Sequence, residues 1–104
     1  MVTALSGSGP AYFFYLAEAM IDSAVEQGMS KQQATNLVKQ TALGAASMLK
    51  QENADAEALR IAVTSPNGTT EAALNEFNSN HVNQSIKSAV VAAYNRGQQL
   101  AKDD

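Results

Sequence analysis

Two short segments of the sequence are rich in glycine and in hydroxyl-bearing residues, and each precedes a predicted helix. They are Ser6-Gly7-Ser8-Gly9-Pro10 and Thr64-Ser65-Pro66-Asn67-Gly68-Thr69-Thr70. The start of a helix presents unpaired backbone N–H groups and the positive end of the helix dipole, so it can bind a carboxylate or a phosphate without any basic side chain. The same residue types also form an ordinary turn followed by an N-cap, and the sequence leaves both interpretations open.

The second segment, residues 64–70, is the stronger candidate for an anion site. It contains Pro66-Asn67-Gly68, which is typical of a turn, and two threonines follow with their hydroxyls and N–H groups. The first segment contains Gly7-Ser8-Gly9, which is similar to the start of a dinucleotide-binding fingerprint. We reject that interpretation because Tyr12 stands where the third glycine is required and no strand precedes the segment.

Few other side chains are suited to catalysis. The chain has no cysteine and a single histidine, His81, so we predict no metal site, no cysteine nucleophile and no serine–histidine–aspartate triad. Glu18, Asp22 and Glu26 form an acidic stripe at a spacing of four residues. We interpret this stripe as a solvated helix face rather than as paired catalytic acids.

The composition indicates one small globular domain. The 104 residues are 45% hydrophobic and 16% charged, with a net charge of −3. This charge disfavours a surface for nucleic acid or anionic membranes. The longest dense apolar stretch, Ala11 to Ala17, is far shorter than the roughly 20 residues of a membrane span. We therefore expect neither a nucleic-acid partner nor a membrane.

Helix-forming residues dominate, since nineteen alanines favour helix over strand. We predict an all-α, five-helix bundle-like domain. Ser30 with Gln33 has the spacing of a capping box, and Gly28 is the expected end of the first helix. Pro66 stops the third helix, and Thr69 or Thr70 is the expected N-cap of the fourth. The predicted helices begin near residue 8, at 30, at 53 or 55, at 69 or 70, and near 82, and they end near 27, near 52, before 66, near 77 and near 102.

The first predicted helix is apolar nearly all round. Apolar side chains between Ala11 and Val25 surround most of its circumference. Such a helix must be covered nearly all round, and the other helices of so short a chain can cover only about half of it. We predict that another chain covers the rest. The alternative is that this helix forms the centre of a monomeric bundle.

Three segments, taken in order, resemble a known enzyme family. They are Val2 to Tyr12 (VTALSGSGPAY), Leu43-Gly44-Ala45-Ala46, and Val63 to Thr70 (VTSPNGTT). Together they are similar to the C-terminal half of pyrroline-5-carboxylate reductase, a family of enzymes that catalyse the last step of proline biosynthesis. Asn67 stands where the family usually has glycine, a mild departure because asparagine also tolerates a positive φ.

The resemblance implies the reduction of 1-pyrroline-5-carboxylate to L-proline with NADPH or NADH in the cytoplasm. It assigns residues 1–104 to a helical dimerisation and substrate-binding domain that forms an interlocked homodimer, often assembled further into a decamer. The N-terminal Rossmann domain is expected to be absent from this chain. We therefore expect the chain alone to be inactive and to carry no bound cofactor.

The resemblance also implies how the substrate is held. Backbone N–H groups around Gly68, Thr69 and Thr70 would bind the carboxylate of pyrroline-5-carboxylate or proline. Ser65 would line the same pocket. The Thr70 hydroxyl would reach the ring nitrogen and assist its protonation, which makes Thr70 the candidate catalytic residue.

Ala62 and Val63 are implied to contact the nicotinamide end of the cofactor, mainly through their backbone, and residues 6–10 to shape the pocket wall. A competing interpretation is a non-enzymatic helical module that pairs with itself or with another helical protein and needs no ligand. A third, a small autonomous anion-binding enzyme, is disfavoured because the sequence offers no acid–base pair.

Overall fold

Every regular element of the described chain is helical. The computed structural model describes residues 1–103, in which there are five α-helices and no strand, so the predicted all-α class is confirmed. The helices are α1 (Gly9–Glu26), α2 (Lys31–Leu49), α3 (Ala56–Ala62), α4 (Thr69–Ser79) and α5 (Val82–Asp103). Within the described residues, none of them has the apolar length that a bilayer crossing requires.

The chain forms two compact units. The first combines Met1–Ala11 with Thr64–Asp104, and the second is Tyr12–Val63. In the first unit, α5 packs against α4 and against a short π-helical turn, Thr3–Gly7. In the second unit, α3 packs against α2, whereas α1 makes no close backbone approach to either of them.

The glycine-rich segment at residues 6–10 joins two helical elements: α1 begins at Gly9, as predicted, but the residues just before it form a helical turn that the sequence did not predict. Thr3–Gly7 winds into one π-helical turn, which is closed by the Ser8 N–H donating to the Thr3 carbonyl oxygen at 2.8 Å. The Ala11 N–H then donates to the Ser8 carbonyl oxygen at 3.0 Å. The small side chains allow this tight continuation into α1, and because these donors are used locally the segment does not form an anion-binding loop.

The end of α1 is the predicted glycine terminator. Gly28 has a φ of 107°, which is strained for any residue with a Cβ. The Gly28 N–H donates to the Val25 carbonyl at 3.0 Å, and the Met29 N–H donates to the Ala24 carbonyl at 3.1 Å. This pair of bonds is the Schellman arrangement that closes many helices.

The N-termini of α2 and α3 are capped by side chains, as predicted. The Ser30 hydroxyl oxygen accepts from the Gln33 N–H at 3.1 Å. The Asp55 carboxylate accepts from the Ala58 N–H at 2.9 Å. Each cap satisfies one of the donors that the first turn of a helix leaves unpaired.

Two predicted boundaries are wrong. Helix α2 ends at Leu49, with Lys50 as its C-cap, rather than near Glu52, and the connection to α3 passes through Asn53 in the left-handed region, with a φ of 66°. Helix α4 is preceded by Gly68 as its N-cap rather than by either threonine. The backbone at Gly68 is extended (φ −92°, ψ −176°), which places both threonines inside the helix.

Few apolar side chains are buried. Ala4, Ala34 and Val38 are the buried hydrophobic residues of the described chain. Ala34 and Val38 are buried on one face of α2, whereas Leu37 and Leu49, which fall on the same face by their spacing, remain 56% and 48% exposed. The chain by itself leaves most of its predicted apolar faces uncovered.

The aromatic part of α1 is strongly exposed. Phe13, Phe14, Tyr15 and Leu16 are 69%, 71%, 77% and 48% exposed. Consecutive residues of an α-helix point about 100° apart, so these four side chains point to all sides of α1. The accessible surface of the chain is 8487 Å², whereas a compact monomer of this mass exposes about 5,600 Å².

Candidate functional site

The turn before α4 is built from Ser65, Pro66, Asn67 and Gly68. The Gly68 N–H donates to the Ser65 carbonyl oxygen at 3.1 Å and closes the turn. Proline at the second position and a φ of 62° at Asn67 in the third are the marks of a type II turn. The structure thus gives the reason why asparagine can stand here in place of glycine: it tolerates the left-handed region better than most residues.

Gly68 is required by a close approach rather than by a positive φ. A Cβ at this position would lie 3.2 Å from the Ser65 carbonyl oxygen, which is tighter than an ordinary contact. Because Gly68 has no side chain, it also provides no capping oxygen for α4. The space that a serine or aspartate side chain occupies at other helix starts is therefore open here.

The first turn of α4 presents three backbone N–H groups with no acceptor among residues 1–103. They belong to Thr69, Thr70 and Glu71. The first bond of the helical ladder comes only from the Ala72 N–H, which donates to the Gly68 carbonyl oxygen at 3.2 Å. Three adjacent donors at the positive end of an eleven-residue helix form a suitable place for a carboxylate.

Charged side chains do not supply this attraction. The sequence from Ile61 to Ile86 contains neither lysine nor arginine. Binding of an anion would therefore depend on the backbone N–H groups and on the helix dipole, as the residue types alone predict.

Glu71 is a residue of this site that the sequence analysis missed. Its Oε1 accepts a hydrogen bond from the Asn67 N–H at 3.1 Å. Glu71 is the third residue of α4, which is the position from which a glutamate reaches back in a capping box. A glutamate three residues after the N-cap is a signal that the sequence contains. It was missed because the N-cap was assigned to a threonine, and Glu71 then no longer stands at that position.

The structure brings the predicted substrate residues together on one turn. Ser65 and Thr69 are exposed, whereas Gly68 and Thr70 are half-buried. One detail differs from the expectation: the Gly68 N–H closes the turn and is not left for a ligand. The roles of the two threonines and of Ser65 in binding, and of Thr70 in catalysis, stay predictions.

Ala62 and Val63, the predicted cofactor contacts, belong to the other unit. Ala62 is the last residue of α3 and Val63 is its C-cap. Both are exposed, and Val63 is 59% exposed. They offer apolar surface and backbone, which suits contact with a nicotinamide ring.

Other clefts in the described residues are less suited to a small acid. A groove of about 250 Å³ lies between α2 and α3. Its lining is apolar apart from one arginine, and consists of Ala45, Met48, Leu49, Ala56, Leu59, Arg60 and Val63. Among residues 1–103, no three histidine, aspartate or glutamate side chains gather into a group that could hold a metal ion.

Comparison with known proteins agrees with the motifs. Residues 1–100 match the family described as pyrroline-5-carboxylate reductase dimerisation. A pyrroline-5-carboxylate reductase of Pseudomonas aeruginosa is 48% identical over 101 residues, which cover 97% of this chain and 37% of the relative. The chain thus spans a little over a third of the length of the curated relatives it matches.

Solved structures give the same result. A pyrroline-5-carboxylate reductase from Coxiella burnetii matches with a TM-score of 0.88 and 42% identity, covering 95% of this chain and 37% of that one. A Plasmodium falciparum pyrroline carboxylate reductase, solved with NADP bound, matches with a TM-score of 0.86 and 35% identity, covering 91% of this chain and 36% of that one. With a family match over residues 1–100 and the Ser-Gly-Ser-Gly-Pro and Thr-Ser-Pro-Asn-Gly-Thr-Thr motifs in place, the chain belongs to the pyrroline-5-carboxylate reductase dimerisation family.

Proposed function

We propose that this chain is the helical, substrate-binding part of a reductase that converts 1-pyrroline-5-carboxylate to L-proline with NADPH or NADH. The observation that carries the proposal is the uncapped N-terminus of α4, where a small carboxylate can take the place of the missing N-cap side chain. Membership of the family supplies the identity of the substrate. The family resemblance also implies that the enzyme acts in the cytoplasm.

The substrate carboxylate accepts hydrogen bonds from the free N–H groups of Thr69, Thr70 and Glu71. A capping side chain ordinarily accepts from the second or third N–H of a helix, and in α4 these belong to Thr70 and Glu71. The exposed Ser65 hydroxyl lies on the turn that faces this helix start and provides a further donor. Fixed backbone donors bind the carboxylate in one orientation, which sets the direction of the ring attached to it.

Thr70 acts on the ring nitrogen. A bound carboxylate at the start of α4 brings the ring close to the half-buried Thr70 side chain, whose hydroxyl can both donate and accept a hydrogen bond. It orients the imine and assists the protonation of its nitrogen. No strong side-chain base or nucleophile is needed, because the reaction adds a hydride to carbon and a proton to nitrogen.

When bound, NADPH or NADH supplies the hydride that reduces the imine. The exposed Val63 and Ala62 suit contact with the nicotinamide ring. Residues 1–103 contain no strand and therefore no strand–turn–helix site for the pyrophosphate. The part of the enzyme that binds the rest of the cofactor is expected outside the sequence of this chain.

The partner of this chain is a second copy of itself. The accessible surface exceeds that of a compact monomer of this mass by about 2,900 Å², which is more than a standard protein interface buries on one partner. Because Phe13, Phe14 and Tyr15 are exposed on different sides of α1, a partner that only lies on one face leaves the others in water. A copy whose helices enclose α1 covers all of them, which is an interlocked homodimer. Assembly into a decamer is a further expectation from the family.

The molar mass of the chain in solution tests the proposed homodimer. Light scattering of the purified chain at micromolar concentration is expected to give twice the 11.0 kDa mass of one chain. Replacing Phe13 and Tyr15 with serine should weaken the dimer, whereas Lys102→Ser, an exposed change near the end of α5, should not. A folded chain that stays monomeric would contradict the interlocked arrangement.

The reductase activity of a fusion protein tests the proposed enzymatic function. The chain is joined behind the nucleotide-binding portion of the Pseudomonas aeruginosa reductase, a relative that is 48% identical. This fusion should oxidise NADPH when pyrroline-5-carboxylate is added, and the chain alone should not. A folded, dimeric fusion without turnover, together with no binding of proline, would favour the non-enzymatic helical module instead.

A further inference from the structure

The Glu71 carboxylate satisfies a backbone donor of the turn that precedes it. Its Oε1 accepts from the Asn67 N–H at 3.1 Å, and the side chain is half-buried. We infer that Glu71 is a positioning residue, which fixes the turn at residues 65–68 so that the start of α4 is ready to receive a carboxylate. The inference rests on the proposed function, because it assigns a role within that same site.

The turn contains two N–H groups that could compete for a ligand, and both are used within the chain. The Gly68 N–H donates to the Ser65 carbonyl oxygen, and the Asn67 N–H donates to Glu71. The remaining donors are those at the start of α4. An incoming carboxylate therefore meets free backbone donors in the first turn of α4 and none at Asn67 or Gly68, and this favours one place for it to bind.

Glu71 also holds Asn67 in a conformation that costs energy. The φ of 62° at Asn67 is left-handed, which costs most non-glycine residues roughly 1–2 kcal/mol, asparagine less. With Glu71 removed, the Asn67 N–H turns to water and the turn can relax to other conformations. The turn at Ser65 and the start of α4 at Thr70 must then become ordered when the ligand binds, and the free-energy cost of this ordering weakens binding.

The charge of Glu71 and its hydrogen bond have opposite effects on a carboxylate ligand. The negative charge in the first turn of α4 favours the helix but repels an incoming anion. Glutamine at this position keeps an oxygen that accepts from the Asn67 N–H and removes the charge. Glu71→Gln should therefore restore the binding that Glu71→Ala loses, even if it makes α4 slightly less stable.

Glu76 provides a matched control on the same helix. Its Oε2 accepts from the Asn80 side-chain N–H at 2.7 Å, also across a spacing of four residues, but at the opposite end of α4. Glu76→Ala thus removes the same kind of side chain and the same kind of bond. It should lower stability without changing the turn before α4.

The test uses the ¹⁵N-labelled chain and follows two quantities by NMR: the affinity for L-proline and the hydrogen-exchange rate of the Asn67 N–H. Glu71→Ala should weaken proline binding about fivefold and speed the exchange of Asn67 by a similar factor, as expected for the net loss of one hydrogen bond near the protein surface. Glu71→Gln should bind proline at least as tightly as the unmodified chain and keep its exchange rate at Asn67, and Glu76→Ala should leave both quantities unchanged. Circular dichroism of each variant checks that α4 is still formed.

Glu71→Ala that binds proline as tightly as the unmodified chain would overturn the inference, and so would an unchanged exchange rate at Asn67. A loss of affinity in Glu76→Ala equal to that in Glu71→Ala would also overturn it, because the effect would then be one of helix stability. If the unmodified chain shows no response to proline, the proposed function fails. The exchange rate of Asn67 in Glu71→Ala then decides by itself whether Glu71 fixes the turn.

Discussion

Three helices of this chain begin in two different ways. A side-chain oxygen of the chain itself, from Ser30 or Asp55, caps α2 and α3, whereas α4 begins at Gly68 with no side-chain cap. The first two helix starts are satisfied by the fold. The third leaves its donors open, since the glycine that the turn requires has no side chain to close it. The proposed function requires this difference, because only an uncapped helix start has backbone donors left for a ligand carboxylate.

The largest effect is expected from removing the Thr70 hydroxyl while its N–H is kept. In the fusion reductase, Thr70→Val should lower kcat/KM for pyrroline-5-carboxylate about a hundredfold, because protonation of the imine loses its donor. Thr69→Val removes an exposed hydroxyl at the neighbouring position and serves as the control. Steady-state kinetics measure both variants, and equal activity of the two would remove Thr70 from its proposed role.

The second-largest effect is expected from giving α4 a serine at its N-cap, as α2 has with Ser30. Gly68→Ser introduces a side-chain oxygen where the ligand carboxylate is proposed to sit, and it also places a Cβ 3.2 Å from the Ser65 carbonyl oxygen. Proline affinity should fall about tenfold, which corresponds to the loss of one to two hydrogen bonds. Calorimetric titration measures the affinity, and binding as tight as in the unmodified chain would mean that the ligand does not occupy the N-cap position.

The smallest effect on ligand binding is expected from removing the side-chain cap of α3, so that α3, like α4, begins without one. Asp55→Ala removes the bond to the Ala58 N–H and should lower the free energy of unfolding by about 1 kcal/mol. Urea unfolding at a fixed protein concentration measures this loss. Proline binding should stay the same, and a matching loss of affinity would show that the capped and open helix starts are not independent.

Much of the fold could be predicted because local residue preferences decide it. Gly28 and the caps at Ser30 and Asp55 act within a few residues of their own position, and each is found where the pattern places it. The helix boundaries that failed depend on turns. The connection after α2 contains Asn53 and the turn before α4 contains Asn67, both in the left-handed region, and the presence of an asparagine does not by itself predict this conformation.

The position of the candidate site could be predicted from the sequence, but its hydrogen bonds could not. Residues 64–70 could be recognised from composition, because glycine and hydroxyl residues before a helix are typical of anion binding. The use of the Gly68 N–H within the turn and the bond between Asn67 and Glu71 depend on the actual turn type. The first glycine-rich segment has the same composition, yet it winds into a π-helical turn, since small residues permit both outcomes.

The open start of α4 is tested most directly by titrating the ¹⁵N-labelled chain with L-proline and following the backbone N–H resonances. We expect saturable shifts at Thr69, Thr70 and Glu71 and no change at Gln33 and Ala58, whose N–H groups donate to the caps of α2 and α3. Shifts of equal size at all three helix starts, or none at α4 up to high proline concentration, would contradict it.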